Sequence, residues 1–432
     1  MLIDFSFGNF TSFKDVQSLS MMSSKLKKDN FLQTNVVNVD EKTSLLKSAL
    51  IYGANASGKS NLINAMQSFR TIVLSSLKDL EFNFLDTIIP FLLTSEQKPS
   101  IFEILFIENS IKYRYGFSIL NGEILEEWLY STTKVRETML FYREKQTVEF
   151  NKKSFNEAKL FVKFSSDSEN KKDNMGQLEK TATNVPFVSV LSVFEGKHSS
   201  NVTNFISRIN AISGIQDERT KNYSFNLFKE NEDFRQWALK ILENFNISDL
   251  IINEEEVITE HAFSISDEEE SPKIKIKQNR FNVEVQKQLP HSEDSINFPF
   301  SFESAGTRKI IHLLGPLYDT IKSNNILFID ELDAKFHTLL SKFLLKMFNQ
   351  LSNGSQLIAT VQDTNLMNTE LLRRDQIWFV DKDPIEQDSR LYSLSEYKIS
   401  IQKYYSSDYL EGAFSAIPLF SKLSDVENLM EG

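Results

Sequence analysis

The chain has 432 residues, 41% of them hydrophobic and 25% charged, with a formal charge of −11 from 48 basic and 59 acidic side chains. That length suits two or three domains, or one large domain carrying an insertion, and the ordinary globular composition excludes low-complexity and collagen-like classes. The acidic balance excludes coating of nucleic acid by bulk electrostatics and leaves only a local basic groove for such a partner, while the absence of cysteine excludes disulfides, zinc ribbons and thiol nucleophiles.

Residues 1–20 alternate in apolar character through Leu2, Ile3, Phe5, Phe7 and Phe10, with Gly8-Asn9 as a turn. They read as short strands, with no basic start and no unbroken apolar run of a signal peptide. The apolar segment 45–52 reads as a buried strand, and the following NLINAMQSFRTIVLSSLKDL has helical spacing. Residues 101–130 alternate over three runs separated by Glu108-Asn109 and Asn121-Gly122, which predicts an antiparallel meander.

From 151 to 295 the chain turns polar. This stretch reads as an inserted, mainly helical lobe with mobile loops, a helix near 229–245, and an acidic run read as a solvated face. A helix is predicted from Ser304 through Leu317, then an apolar strand ILFID, an amphipathic helix HTLLSKFLLKMFNQL, and strands in SQLIATVQD and DQIWFVDKD. Strands alternating with helices predict an α/β fold with a parallel sheet. The expected domains are 1–150, the inserted lobe 151–295, and 296–432. No run approaches the apolar length of a membrane span, so a soluble cytoplasmic protein is expected.

Three motifs carry chemistry. Gly53-Ala54-Asn55-Ala56-Ser57-Gly58-Lys59-Ser60 fits G-x-x-x-x-G-K-[ST], between a predicted strand and a predicted helix. In such a loop backbone N–H groups surround phosphates, Lys59 reaches the β/γ oxygens of ATP, and Ser60 ligates Mg²⁺. Ile326 to Ile329 end in Asp330-Glu331, which places two carboxylates at the C-terminal edge of a parallel sheet. Asp330 suits Mg²⁺ and Glu331 suits a general base. Ser304-Ala305-Gly306 opens the third motif at a helix start. It reads either as a phosphate-facing loop or as a simple N-cap.

Taken together, this order resembles the ABC-type ATPases of the SMC/RecF/OLD group, as do NFTSFKD at the start and the asparagine in GANASGKS. More closely, ESAGT, DELDAKFH, LLRRDQIWFVDKD and YLEGAFSAIP resemble the RloA/AbiL-type ATPases of bacterial abortive-infection systems. The likeness covers roughly 1–130 and 300–420.

The resemblance implies an ABC-type P-loop ATPase head with an N-terminal β-meander. It implies nucleotide contacts from Gly53 to Ser60, a signature loop at Ser304 and Gly306 that reaches the ATP of a second protomer, and Asp333 in a D-loop between sites. The switch position, usually histidine, reads Val361-Gln362-Asp363. Gln362 can hydrogen-bond a γ-phosphate but cannot act as a cation, which implies slow or partner-stimulated hydrolysis. Gln97 is placed as the Q-loop glutamine on position alone. The implied role is a nucleotide-gated, head-to-tail homodimer, or a higher assembly, that senses and regulates a separate, RloB-like effector in antiphage defence. The competing expectation is a RecF- or SMC-like DNA-repair ATPase, and a third is a nucleotide-binding scaffold without turnover.

Overall fold

The computed structural model describes residues 1–24, 32–79, 81–164, 174–213, 218–262, 273–397 and 405–417. These fall into two units: Met1–Ser213 with Thr320–Ala334 and Thr338–Gly432, and Gly214–Asp319 with Lys335–His337.

Two sheets and one helix organise the first unit. The antiparallel sheet runs in the order Val162–Lys163, Met175–Leu178, Thr147–Phe150, Thr138–Glu144, Glu123–Thr132, Ile111–Leu120, Ser100–Glu108, Leu2–Gly8, Gln17–Ser20. Alternation puts Phe102, Ile104 and Phe106 on its buried face, as period-two patterning requires. Its two central hairpins turn at Asn109-Ser110 and Asn121-Gly122, all four residues having positive φ. The first turn therefore lies one residue beyond the expected Glu108-Asn109.

The second sheet has the order Ile209–Ser213, Ile326–Asp330, Gln356–Thr360, Ser48–Tyr52, Ile377–Lys382, Ser389–Ser393. Its first five strands are parallel and the last is antiparallel. Ser48–Tyr52 and Gln356–Thr360 are buried at every position, which is why they read as continuous apolar runs without alternation. The helix Lys59–Ser75 buries Leu62, Met66, Phe69 and Val73. Phe69 stacks on Phe117 at 5.4 Å between centroids and meets Phe5 edge-on at 5.9 Å, so the helix seals onto the antiparallel sheet. Gln356 ties the sheets together: its Oε1 accepts the Leu2 N–H, and its Nε2 donates to the carbonyls of Leu2 and Leu46.

Residues 151–213, expected in the inserted lobe, belong to this first unit. A buried ion pair anchors them. Glu127 and Arg143, both fully buried, meet at 3.2 Å. Glu127 also accepts the N–H groups of Phe187 and Val188, and Arg143 donates to the Val185 and Ala182 carbonyls. Burial pushes the Glu127 carboxyl up, and Arg143 with the two amides pulls it back.

The second unit contains helices Glu218–Glu230 and Glu232–Leu242 and the helix Ala305–Ser323 as far as Asp319, with strands Asp249–Ala262, Lys273–Gln288 and Ser295–Pro299 in an antiparallel sheet. The second unit, Gly214–Asp319 with Lys335–His337, thus combines helices with a long hairpin. The single helix expected at 229–245 is broken at Asn231, whose side chain accepts the Phe234 N–H at 2.8 Å and starts a new helix. The acidic run lies on the strand Asp249–Ala262 as far as the described residues extend; 263–272 fall outside them.

Candidate functional site

Parallel strands open their C-terminal ends on one edge of the sheet, and the chemistry-bearing residues emerge there. Tyr52 leads into Gly53, Ile329 into Asp330, Thr360 into Val361-Gln362-Asp363, the expected switch, and Ser213 stands in register with Asp330. The first two motifs and the switch, separated by about 300 residues of chain, thus converge by topology.

The loop 53–58 is shaped for close approach. A Cβ on Gly53 would lie 2.2 Å from the Val380 carbonyl oxygen, and Ala56 and Gly58 have φ of 64° and 113°. Lys59 folds over the loop, its Nζ donating to the carbonyls of Gly53 and Ala54 at 2.7 and 2.8 Å. Burial lowers its pKa, and the carboxylates of Asp330, Glu331 and Asp333 oppose that shift. One ammonium therefore lies in the field of all three acids. Ser57 Oγ is buried with no hydrogen-bond partner among the described residues. Ser60, in the first helical turn, is exposed.

Opposite the loop, Asp330 Oδ1 accepts the Thr360 hydroxyl at 2.6 Å, and Glu331 has φ 53°. Asp333 Oδ2 accepts the backbone N–H groups of Gln362 and Asp363 at 2.8 and 2.5 Å. The Gln362 backbone is fixed by this bond while its side chain is exposed. Asp333 Oδ1 is buried with no hydrogen-bond partner among the described residues. A glycine-containing loop with Lys59 in the field of three carboxylates can hold a polyphosphate with a divalent cation.

In the second unit, Ser304 Oγ accepts the Thr307 N–H at 3.1 Å and pairs with the Thr307 hydroxyl at 2.9 Å, so it caps the helix Ala305–Ser323. A Cβ on Gly306 would lie 2.6 Å from the Lys335 carbonyl oxygen, which leaves room for glycine alone. Gln97 is exposed and lines a cleft of about 490 Å³ with Asp86, Asn121 and Gly122, and no residue of 53–60 shares that cleft.

Some contributors had no signal in the sequence. Ser389 Oγ donates to the Ser57 carbonyl at 2.6 Å and accepts from the Ser12 hydroxyl at 2.8 Å, and Asn61 Nδ2 donates to Ser12 Oγ at 2.8 Å. A Cβ on Gly58 would meet these two serine hydroxyls at 2.6 and 2.7 Å. The segment NFTSF thus braces the phosphate loop. Among the described residues no helix is long and apolar enough to cross a membrane.

A P-loop between a parallel strand and its helix, a DE pair across one intervening strand, and a second, antiparallel sheet make this an α/β P-loop fold. The family model described as "AAA domain, putative AbiEii toxin, Type IV TA system" matches residues 48–368, and the chain belongs to that family. No curated protein matches it. Among solved structures it is similar to the SMC head domain from Thermotoga maritima, at 13% identity and TM-score 0.41, over 93% of this chain and 99% of that one. It is also similar to an SmcHead bound to the C-winged helix domain of ScpA, at 14% identity and TM-score 0.40, over 91% and 97% of the two chains.

Proposed function

We propose that the chain is a Mg²⁺-dependent ATPase that pairs head-to-tail around ATP and regulates a separate effector, such as an RloB-like protein, in antiphage defence. The observation that carries the ATPase reading is the convergence of Lys59 and the acids Asp330, Glu331 and Asp333 at one sheet edge. The backbone of 53–58 and Lys59 would bind the β- and γ-phosphates, with Lys59 exchanging its two loop carbonyls for phosphate oxygens. Ser60 and Asp330 would hold Mg²⁺, which supplies charge neutralisation between those phosphates. Glu331 would take the proton of the attacking water, and Gln362 would orient the γ-phosphate.

Gln216 replaces Gln97 as our candidate for the Q-loop, because it follows strand Ile209–Ser213, whose end is in register with Asp330. It lies outside the described residues.

Pairing follows from charge. The P-loop neutralises a triphosphate from one side, and the Ser304–Gly306 helix start of a second copy supplies the other while excluding water. Asp333, expected to communicate between sites, would do so by holding the switch turn of its own chain. The defence role rests on the resemblance at both ends of the chain and on a family description that names a toxin–antitoxin system.

Phosphate release and fluorescent mant-ATP binding test the chemistry. Lys59→Ala should weaken nucleotide binding by about tenfold or more. Glu331→Gln should keep binding and lower turnover by about a hundredfold. Wild-type release no faster than that of Glu331→Gln would contradict hydrolysis by this site.

A further inference from the structure

Thr360 ends the strand Gln356–Thr360, between the strand of Asp330 and the strand that feeds the P-loop. It is fully buried. Its hydroxyl has a single proton, and that proton goes to Asp330 Oδ1 at 2.6 Å. The oxygen can then only accept from the Glu331 N–H, which it does at 2.7 Å. The Thr360 carbonyl accepts the Leu332 N–H at 3.0 Å. One residue thus holds three consecutive residues of the acidic turn.

The middle one, Glu331, has φ 53°, a conformation that a residue with a Cβ keeps only when its surroundings impose it. The direction of the Glu331 side chain follows from that backbone turn. A second tie joins the same two segments, since Asp333 accepts the N–H groups of Gln362 and Asp363.

We propose that Thr360 is a positioning residue for this site. Its hydroxyl orients the Asp330 carboxylate, fixes the left-handed turn that aims Glu331, and links both acids to the switch residues 361–363. A shift of the switch on γ-phosphate binding or loss then reaches the acid pair through this hydroxyl, alongside the Asp333 tie. With glutamine instead of histidine at 362, this link carries the coupling between nucleotide state and the acids. The inference rests on the ATPase reading above and adds to it the residue that sets the geometry of the acids.

Thr360→Val removes the hydroxyl at constant volume, and Thr360→Ser keeps the hydroxyl while losing the methyl. Thr360→Ala is the substitute should valine prevent folding. Four quantities are read: kcat and KM for phosphate release, the mant-ATP Kd, and the Mg²⁺ concentration giving half-maximal nucleotide binding. Thr360→Val should lower kcat by about tenfold or more with KM and Kd within about twofold of wild type. It should raise the Mg²⁺ midpoint several-fold, and Thr360→Ser should behave as wild type.

A valine variant with wild-type kcat and Mg²⁺ midpoint overturns the proposal. A serine variant that falls as far as valine also overturns it, because the methyl and not the hydroxyl would then be the active part. Glu331→Gln separates this outcome from failure of the ATPase reading. If wild type releases phosphate no faster than Glu331→Gln, hydrolysis fails by itself, and the Mg²⁺ midpoint alone decides on Thr360.

Discussion

Arg143 shows how one side chain can hold a segment that looks detached. It is fully buried, paired with an equally buried Glu127, and bonded to carbonyls of residues 145, 182 and 185. Removing one partner of such a pair leaves an uncompensated buried charge, so Arg143→Met should cost about 3–5 kcal/mol. A urea unfolding midpoint reads this directly. An unchanged midpoint would mean that the segment 182–188 is held by its apolar residues. Nothing in the sequence distinguishes Arg143 from other charged residues on the alternating strand Thr138–Glu144, because a pair made across strands has no local spacing. The phosphate loop is the opposite case. Its chemistry is set by residues adjacent in the chain, so Gly53 to Ser60 were legible as a unit. The bracing serines, Ser12 and Ser389, are contributed from 377 positions apart and were not.

Among the elements, those with a single unbroken period were readable. Ser48–Tyr52 and Gln356–Thr360 are buried throughout and Ile326–Asp330 as far as Ile329, and their apolar runs say so. The meander strands alternate, and only a one-residue shift of the first turn escaped. Composition does not reveal the buried anchor that holds residues 182–188 within the first unit. Helical periodicity continued across Asn231, whose capping role appears only once its side chain is placed on the Phe234 N–H. Gln97, named on position alone, lines a cleft that no residue of 53–60 shares. The strand that delivers residues beside Asp330 is Ile209–Ser213, a short run whose parallel pairing with Ile326–Asp330 is not encoded locally.

The helix Ala305–Ser323 carries a prediction of its own. His312 packs on Phe225 and Phe300 at 5.6 and 5.5 Å, and its Nε2 has no hydrogen-bond partner among the described residues. Burial, with Lys221 adding to it, lowers its pKa to about 4. An unfolded histidine titrates near 6.5. Below that value the unfolded chain takes up a proton that the folded chain refuses, so stability falls from about pH 6.5 down to about pH 4. At pH 5 the loss from this group is about 2 kcal/mol. Comparing unfolding midpoints at pH 7 and pH 5 should show a smaller drop for His312→Leu than for wild type. Equal drops would place the pH dependence elsewhere.

For the whole molecule, the proposed function makes ATP part of an interface. One chain offers a cationic loop and an acid pair, and the proposal sets against them the capped helix start at Ser304 and Gly306 of a second chain. A triphosphate between two such chains would be neutralised on both sides, so binding would assemble the pair and hydrolysis would release it. The direct measurement is the solution mass of Glu331→Gln, by light scattering after gel filtration, with and without Mg-ATP. That variant should bind without turnover and trap the closed state. A mass that doubles only with Mg-ATP, and fails to double when Ser304→Arg is added, is the predicted result. The same mass in both conditions would contradict ATP-gated pairing.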